Sequence, residues 1–454
     1  MAVDSLAEGA AHPPEPDQPD NPVNEHFLNH VVRSCEAQQI CASEDIFAGN
    51  GMKLLSKGAA ISGHMHERLL QHKLVKPLES SIEVADQGTG GLLARAATAV
   101  MARLPMVAEL AQAPQEEPPG LYFNGLELSP QTRTLLMLYA EISPEKLEHA
   151  VGVALVCLGL ARRMMPRDEI AHHALVLAGL LHDVGEIYID PALLEPAALL
   201  KPQAWRHVAI HPIVGYRVLA NLRGAGQRVA DAVLLHHERL DGFGYPRGTQ
   251  GQDFSLDGQI IATAEWLIGF LSSGSAPLAR AKVAAKLIPG EFGLPMQVVL
   301  RHAGAGETGG LLDWKQSVEA TLPELERAVE AFARFETHRA EIDRSLAKAS
   351  TSMRQLGALA IARLKRIQAA FASSGLNGTG SPRETLTGLT EHADVEVQQE
   401  VLALAREFSW RLRELERETL MRASLIGEPE LAEMGRLMDY LRAPAQTVSA
   451  MGPL

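Results

Sequence analysis

A chain of 454 residues, 46% hydrophobic and 21% charged, is long enough for about three globular domains with sizeable cores. Its formal net charge of −13 excludes the basic footprint of a protein that binds DNA or RNA duplexes, and a phosphate ligand would need local cations to approach it. Three cysteines, Cys35, Cys41 and Cys157, show no metal-ligand spacing and no paired pattern, which argues against disulfides and for a reducing, cytoplasmic setting.

The first 22 residues are rich in Pro, Glu, Asp and Ala, and residues 1–35 read as a disordered N-terminus. No basic stretch followed by an apolar core opens the chain, so no signal peptide is expected. Residues 36–86 read as a small α+β module. It has two short strands around Asn50-Gly51, a short helix over His66 to His72 and an extended Val75 to Leu78. Residues 87–120 hold a helix, Leu92 to Gln112, and a linker rich in proline and glutamate, Pro114 to Gly120.

Residues 121–290 are nearly all helical by pattern. Ser143-Pro144-Glu145 is a cap followed by a proline at the first helical position, and further starts fall at Asp168, Lys201-Pro202 and His211-Pro212. The longest uninterrupted apolar run, Ala150 to Ala161, is shorter than the roughly 20 residues that span a bilayer, so no membrane association is expected. Residues 291–454 read as a helical accessory region. Amphipathic helix runs from Trp314 to Arg354 and on to Ala372, is broken at Ser373 to Pro382, and resumes to about Tyr440. The fold class is mainly α. An all-helical central domain lies between a small strand-containing module and a helical C-terminal region, whose helices are candidates for homo-oligomerisation or for a signalling partner.

The central region carries the chemistry. His182-Asp183-Val184-Gly185 closes one apolar helix. His236-His237 closes another and leads into Glu238-Arg239-Leu240-Asp241-Gly242-Phe243-Gly244-Tyr245-Pro246. Glu145 and His149 are four apart near a helix start and share a face. His211 opens a helix before Pro212, and Glu265 lies within the apolar Ile260 to Leu267. A lone buried imidazole or carboxylate costs on the order of a few kcal/mol unless it is paired or bound to metal. One such residue is ordinary, but this many at helix boundaries in one region suit a divalent metal and an activated water. Alternatives exist for single positions. Glu145 also reads as an acidic first-turn residue that favours the helix dipole, and Glu265 as a non-ligating position.

The two motifs, in this order, resemble the HD-GYP family of metal-dependent phosphodiesterases that open cyclic di-GMP. The resemblance covers about residues 120–290. It implies an HD-type helical hydrolase fold with metals held by His149, His182, Asp183, His211, His236 and His237. Glu145 matches an additional ligand of some members, and Glu265 stands where the family has Asp. Two or three divalent ions, iron or manganese, are implied, with a metal-bridging hydroxide that attacks phosphorus and with Asp183 and His182 as catalytic residues. Arg239, Asp241, Gly242, Gly244, Tyr245 and Pro246 fall on the substrate side, in a loop whose glycines permit backbone closed to other residues. The small module at 36–86 is similar to modules that precede HD-GYP domains in some bacterial proteins.

Two departures bear on phosphate recognition. The family's His-Asp-x-Gly-Lys reads His182-Asp183-Val184-Gly185-Glu186, and the late Ala-Asp segment reads Ala264-Glu265-Trp266-Leu267-Ile268-Gly269, with Arg280 as the first arginine after it. A lysine at 186 would meet a substrate phosphate. Glu186 reverses that charge, or turns toward Arg239, or coordinates a metal. A non-catalytic cyclic di-GMP sensor or scaffold, and an HD hydrolase acting on another nucleotide, are therefore the rival readings.

Overall fold

The computed structural model describes residues 22–35, 38–113, 116–194, 202–272, 277–287, 290–302, 314–378 and 380–442. Residues 1–21, Pro114, Gln115 and Lys201 lie outside them, as does the side chain of Arg280. The fold is mainly helical, and the described residues divide into two compact units. The first draws on 1–200, 207–269 and 292–304, the second on 201–206, 270–291 and 305–454. Among the described residues no helix is long and apolar enough to cross a membrane.

The first unit begins with a helix, Glu25–Ser34 (α1), where a disordered N-terminus was expected. Asn24 caps it by accepting from the Phe27 N–H at 2.9 Å, and Phe27, Leu28 and Val31 bury one face. Strands Ile40–Ala42 (β1), Ile46–Phe47 (β2), Lys53–Leu55 (β3) and Ile82–Val84 (β4) follow. The expected hairpin forms, with Ile46 opposite Leu55 and Gly51 at φ 83°. Antiparallel pairing of β1 with β4 has no local signal in the sequence. The stretch read as extended over Val75 to Leu78 leads into a 3-10 turn, Leu78–Ser80, instead of a strand.

The helix expected over Leu92 to Gln112 is two helices, Thr89–Arg103 (α2) and Pro105–Ala111 (α3). Pro105 forces Leu104 out of the helical region, to φ −122° and ψ 83°. Two further helices, Pro130–Ala140 (α4) and Pro144–Met164 (α5), precede the buried Glu169–Leu181 (α6). The expected caps operate: Ser143 accepts from the Lys146 N–H, and Asp168 from the Ala171 N–H. A 3-10 segment, Val184–Tyr188, is followed by helices His211–Ala220 (α7), Gln227–Leu234 (α8) and Leu256–Leu271 (α9).

The N-terminal module packs on the segment that follows Asp183. The Phe27 and Tyr188 rings stack at 4.7 Å, and Asn24 Nδ2 donates to the Tyr188 carbonyl at 3.2 Å. Thr134 Oγ1 on α4 accepts the Val84 N–H of β4 at 2.9 Å.

The second unit is built on long helices, Trp314–Lys348 (α10), Thr351–Ser373 (α11), Val395–Ile426 (α12) and Glu428–Asp439 (α13). Within it the carboxylate of Glu291 accepts from Arg363 at 3.0 Å and Arg411 at 2.5 Å, all three buried. Buried charges of this kind persist only when paired.

Candidate metal centre

Two helices and three turns or helix ends converge in the first unit. α5 presents Lys146 and His149 one turn apart. His182 is the C-cap of α6, and Asp183 begins the 3-10 segment. Gly185 lets that segment run against the first turn of α7, since a Cβ there would sit 2.1 Å from the His211 carbonyl oxygen. His236 and His237 lie just past the end of α8, in a turn. Glu265 lies within α9.

The histidines are oriented by their own backbone. Nδ1 of His182, His211 and His236 donates to the carbonyl three residues earlier, Gly179, Val208 and Val233, at 2.8, 2.8 and 2.5 Å. The proton of each neutral imidazole is thereby committed to Nδ1, leaving a lone pair on Nε2. Those lone pairs converge. His211 Nε2 and His236 Nε2 are 2.9 Å apart. His182 Nε2 lies 3.1 Å from Asp183 Oδ2 and 3.2 Å from Glu265 Oε2, and makes a hydrogen bond with neither. Acceptors facing acceptors in a buried site are what a divalent cation resolves, so the residues fit the metal that the sequence implies.

Among the described residues two groups could each hold an ion, with ligand atoms within 4.8 Å of one another: Asp183, His211, His236 and His237, and His149, His182 and Asp183. Asp183 belongs to both. Its Oδ1 lies 3.2 Å from His211 Nε2 and 3.6 Å from His236 Nε2, while Oδ2 faces His182 and accepts from the Tyr139 hydroxyl at 3.1 Å. Glu265 Oε2 extends the second group, 2.9 Å from His149 Nε2.

Burial alone would raise the Asp183 and Glu265 carboxyls, but the surrounding imidazoles hold both well below the usual range. The carboxylates in turn raise His182 (Asp183, then Glu265) and His211 (Asp183, then Glu186) against the pull of burial. His236 goes the other way, to about 4, because burial outweighs its Asp183 contact. His237 is also depressed by burial and by the neighbouring His236.

Glu145 is exposed in the first turn of α5 and belongs to neither group. Lys146 takes the inward position instead. Its Nζ lies 2.5 Å from Glu186 Oε2 and 5.6 Å from the centre of the Tyr139 ring. Burial opposes the ammonium, but Glu186 and then Asp183 outweigh it and keep Lys146 above the usual lysine value. Glu186 therefore turns to Lys146 and not to Arg239, whose guanidinium lies over Phe292 and donates to the Glu238 carbonyl.

The family model for the HD domain matches residues 133–270, which contain every member of both groups. Over 118 residues the chain is 40% identical to a cyclic di-GMP phosphodiesterase of Pseudomonas aeruginosa, covering 26% of this chain and 28% of that protein. This segment is an HD-GYP domain. A 3'3'-cGAMP-specific phosphodiesterase of Vibrio cholerae is 35% identical over 123 residues, 27% of this chain and 26% of that protein. The chain thus spans about a quarter of the length of the curated relatives it matches. Bd1817, an HDG"Y"P protein from Bdellovibrio bacteriovorus, aligns with 58% of this chain and 94% of its own at 16% identity and a TM-score of 0.32.

The signature loop of the HD-GYP domain is held by a residue that sequence reasoning passed over. Glu238, fully buried, accepts from the backbone N–H groups of Arg247 at 2.7 Å, Gly248 at 3.1 Å and Thr249 at 2.9 Å. Gly244 passes so close to the same turn that a Cβ would meet the Glu238 and Arg239 backbone at 2.3–2.5 Å. Gly242 has φ 76°, Asp241 accepts from the Phe243 N–H at 3.1 Å, and the bond to Pro246 is cis. The Tyr245 ring stacks on His237 at 4.6 Å. Tyr139 and Lys146 were also missed. Tyr139 carries no local signal, whereas Lys146 stands three residues before His149, a spacing that shares a helix face.

Proposed function

We propose that the HD-GYP domain is a divalent-metal-dependent phosphodiesterase that opens cyclic di-GMP. The observation that carries this reading is the convergence of the imidazole Nε2 atoms on the shared carboxylate of Asp183. His149, His182 and Glu265 would hold one ion and His211, His236 and His237 the other, with Asp183 common to both. Iron or manganese suits this imidazole and carboxylate mixture. Such ions, when bound, would lower the pKa of a water and neutralise charge developing on the phosphodiester.

The chain's own residues do the rest. Asp183 orients both subsites, and Tyr139 fixes the rotation of its carboxylate. His182 is held through Nδ1 by the Gly179 carbonyl, so Nε2 is its available ligand atom. The loop from Asp241 to Pro246, braced by Glu238, walls the substrate side, with Tyr245 flat against His237 and Arg239 at its base. Glu145, outside the two groups, leaves two ions as the favoured count.

The named activity of the Vibrio cholerae relative supports 3'3'-cGAMP as a second substrate reading. Metal analysis of the purified chain, followed by hydrolysis assays of cyclic di-GMP and 3'3'-cGAMP in iron and in manganese, tests both. Full metal content with no turnover of either would instead make the domain a cyclic dinucleotide sensor, acting through partners of the C-terminal helices. A cytoplasmic setting accords with that substrate class.

A further inference from the structure

We infer that Lys146 is the substrate-phosphate contact of this site, supplied by α5 in place of the lysine that position 186 lacks. The inference rests on the reading of the site as one that takes a phosphodiester.

Two spacings put the Lys146–Glu186 pair beside the metal groups. Lys146 precedes His149 by three residues on an α-helix, so the two side chains share a face. Glu186 follows Asp183 by three residues on a 3-10 segment, where positions i and i+3 eclipse. One member of the pair therefore lies a turn from His149 and the other a turn from Asp183, which sets the ion pair beside the candidate site. Tyr139 ties the layers together, since its ring lies under the ammonium and its hydroxyl binds Asp183.

Lys146 is also available. Its side chain is 30% exposed, against 11% for Glu186. An ammonium has three protons; Glu186 takes one, and the exposed side can offer another to a ligand. Glu186 then acts as the anchor of the ammonium, and its charge is answered locally. Introducing a lysine at 186 while Lys146 remains would set two ammonium groups within contact distance, so positions 146 and 186 work as a unit whose charges exchange only together. Arg239 is a weaker candidate, because its guanidinium is spread over Phe292.

The test uses the metal-loaded full chain and hydrolysis-resistant phosphorothioate analogues of cyclic di-GMP and 3'3'-cGAMP, with inorganic phosphate as a third probe. Affinity is read by calorimetry and metal content by elemental analysis. Lys146→Met is expected to weaken analogue binding about tenfold or more, the scale of one charge-assisted contact, with metal content unchanged. Glu186→Lys alone is expected to weaken binding, and Lys146→Glu combined with Glu186→Lys to restore it to within about threefold of wild type. Lys146→Arg and Glu186→Gln keep a cation in place and should bind within several-fold of wild type, which guards against a Met variant that misfolds. Unchanged binding in a metal-loaded Lys146→Met protein overturns the inference, as does loss of binding in both Lys146→Arg and Glu186→Gln. If wild type binds inorganic phosphate in a Lys146-dependent way but neither dinucleotide analogue, the substrate reading fails and the Lys146 contact stands. If wild type binds none of the three probes, both fall.

Discussion

The Tyr139 hydroxyl donates to Asp183 Oδ2 at 3.1 Å, from a ring that is fully buried in the core of the first unit. A phenol in this position fixes the one carboxylate that both candidate ion groups share. Removing the hydroxyl leaves the fold nearly intact but frees Asp183 to rotate. Tyr139→Phe is expected to lower metal affinity about 10- to 100-fold, as loss of an outer hydrogen bond to a ligand typically does. Competition with a chelator of known affinity measures it, and an unchanged affinity would remove Tyr139 from the site.

Asp183 and Glu265 make different demands on the chain. Asp183→Ala should abolish at least one ion and any hydrolysis while helix content by circular dichroism stays close to wild type. Glu265→Ala should reduce metal content, and Glu265→Asp should preserve it, because a shorter carboxylate still offers an oxygen between His149 and His182. Equal metal content in wild type, Ala and Asp proteins would show that position 265 is not a ligand.

Metal uptake should depend on pH with a definite sign. In the metal-free protein His182 and His211 are held above the ordinary 6.5 by Asp183, against the effect of burial, while His236 is already neutral down to about 4. His182 and His211 must shed protons when an ion enters, so affinity should rise with pH through the neutral range and level off once both are neutral. Without metal, the same two residues add stability that is full below pH 6.5 and is lost as pH rises through their folded values. His236 works oppositely, and its neutral burial lowers stability as pH falls from 6.5 toward 4. Calorimetry in buffers of different ionisation enthalpy would count the protons released; none released at pH 7 would contradict the assignment.

Glu238 braces the signature loop with three backbone hydrogen bonds. Glu238→Ala removes the acceptor of three partly buried N–H groups and should cost roughly 1.5–4.5 kcal/mol locally, at about 0.5–1.5 kcal/mol net for each hydrogen bond. Glu238→Gln keeps an acceptor and should cost less. Hydrogen exchange of residues 241–250 reads the effect directly. Protection in the Ala protein equal to wild type would mean that the loop is held by other contacts.

Much of this domain was legible in the chain itself. Helix starts at Ser143 and Asp168 follow from side chains that cap backbone N–H groups a few residues away, and the hairpin around Gly51 follows from a local turn preference. Both are short-range effects, so sequence determines them. The identity of the imidazoles and carboxylates, and their places at helix ends, were likewise legible, because polar residues inside apolar runs are costly to bury. The break at Pro105 and the helix at Glu25–Ser34 were local too, and were misread because periodicity was followed through a proline and composition over an apolar face. What tertiary structure alone decided was partnership. Pairing of β1 with β4, the hydroxyl of Tyr139 on Asp183, the three N–H groups on Glu238 and the ion pair of Lys146 with Glu186 all join residues whose contact no local spacing dictates. Charge shows this most clearly. In sequence Glu186 reads as a repulsive carboxylate beside a phosphate site, and only the approach of α5 to the 3-10 segment after Asp183 sets an ammonium 2.5 Å from it and neutralises it.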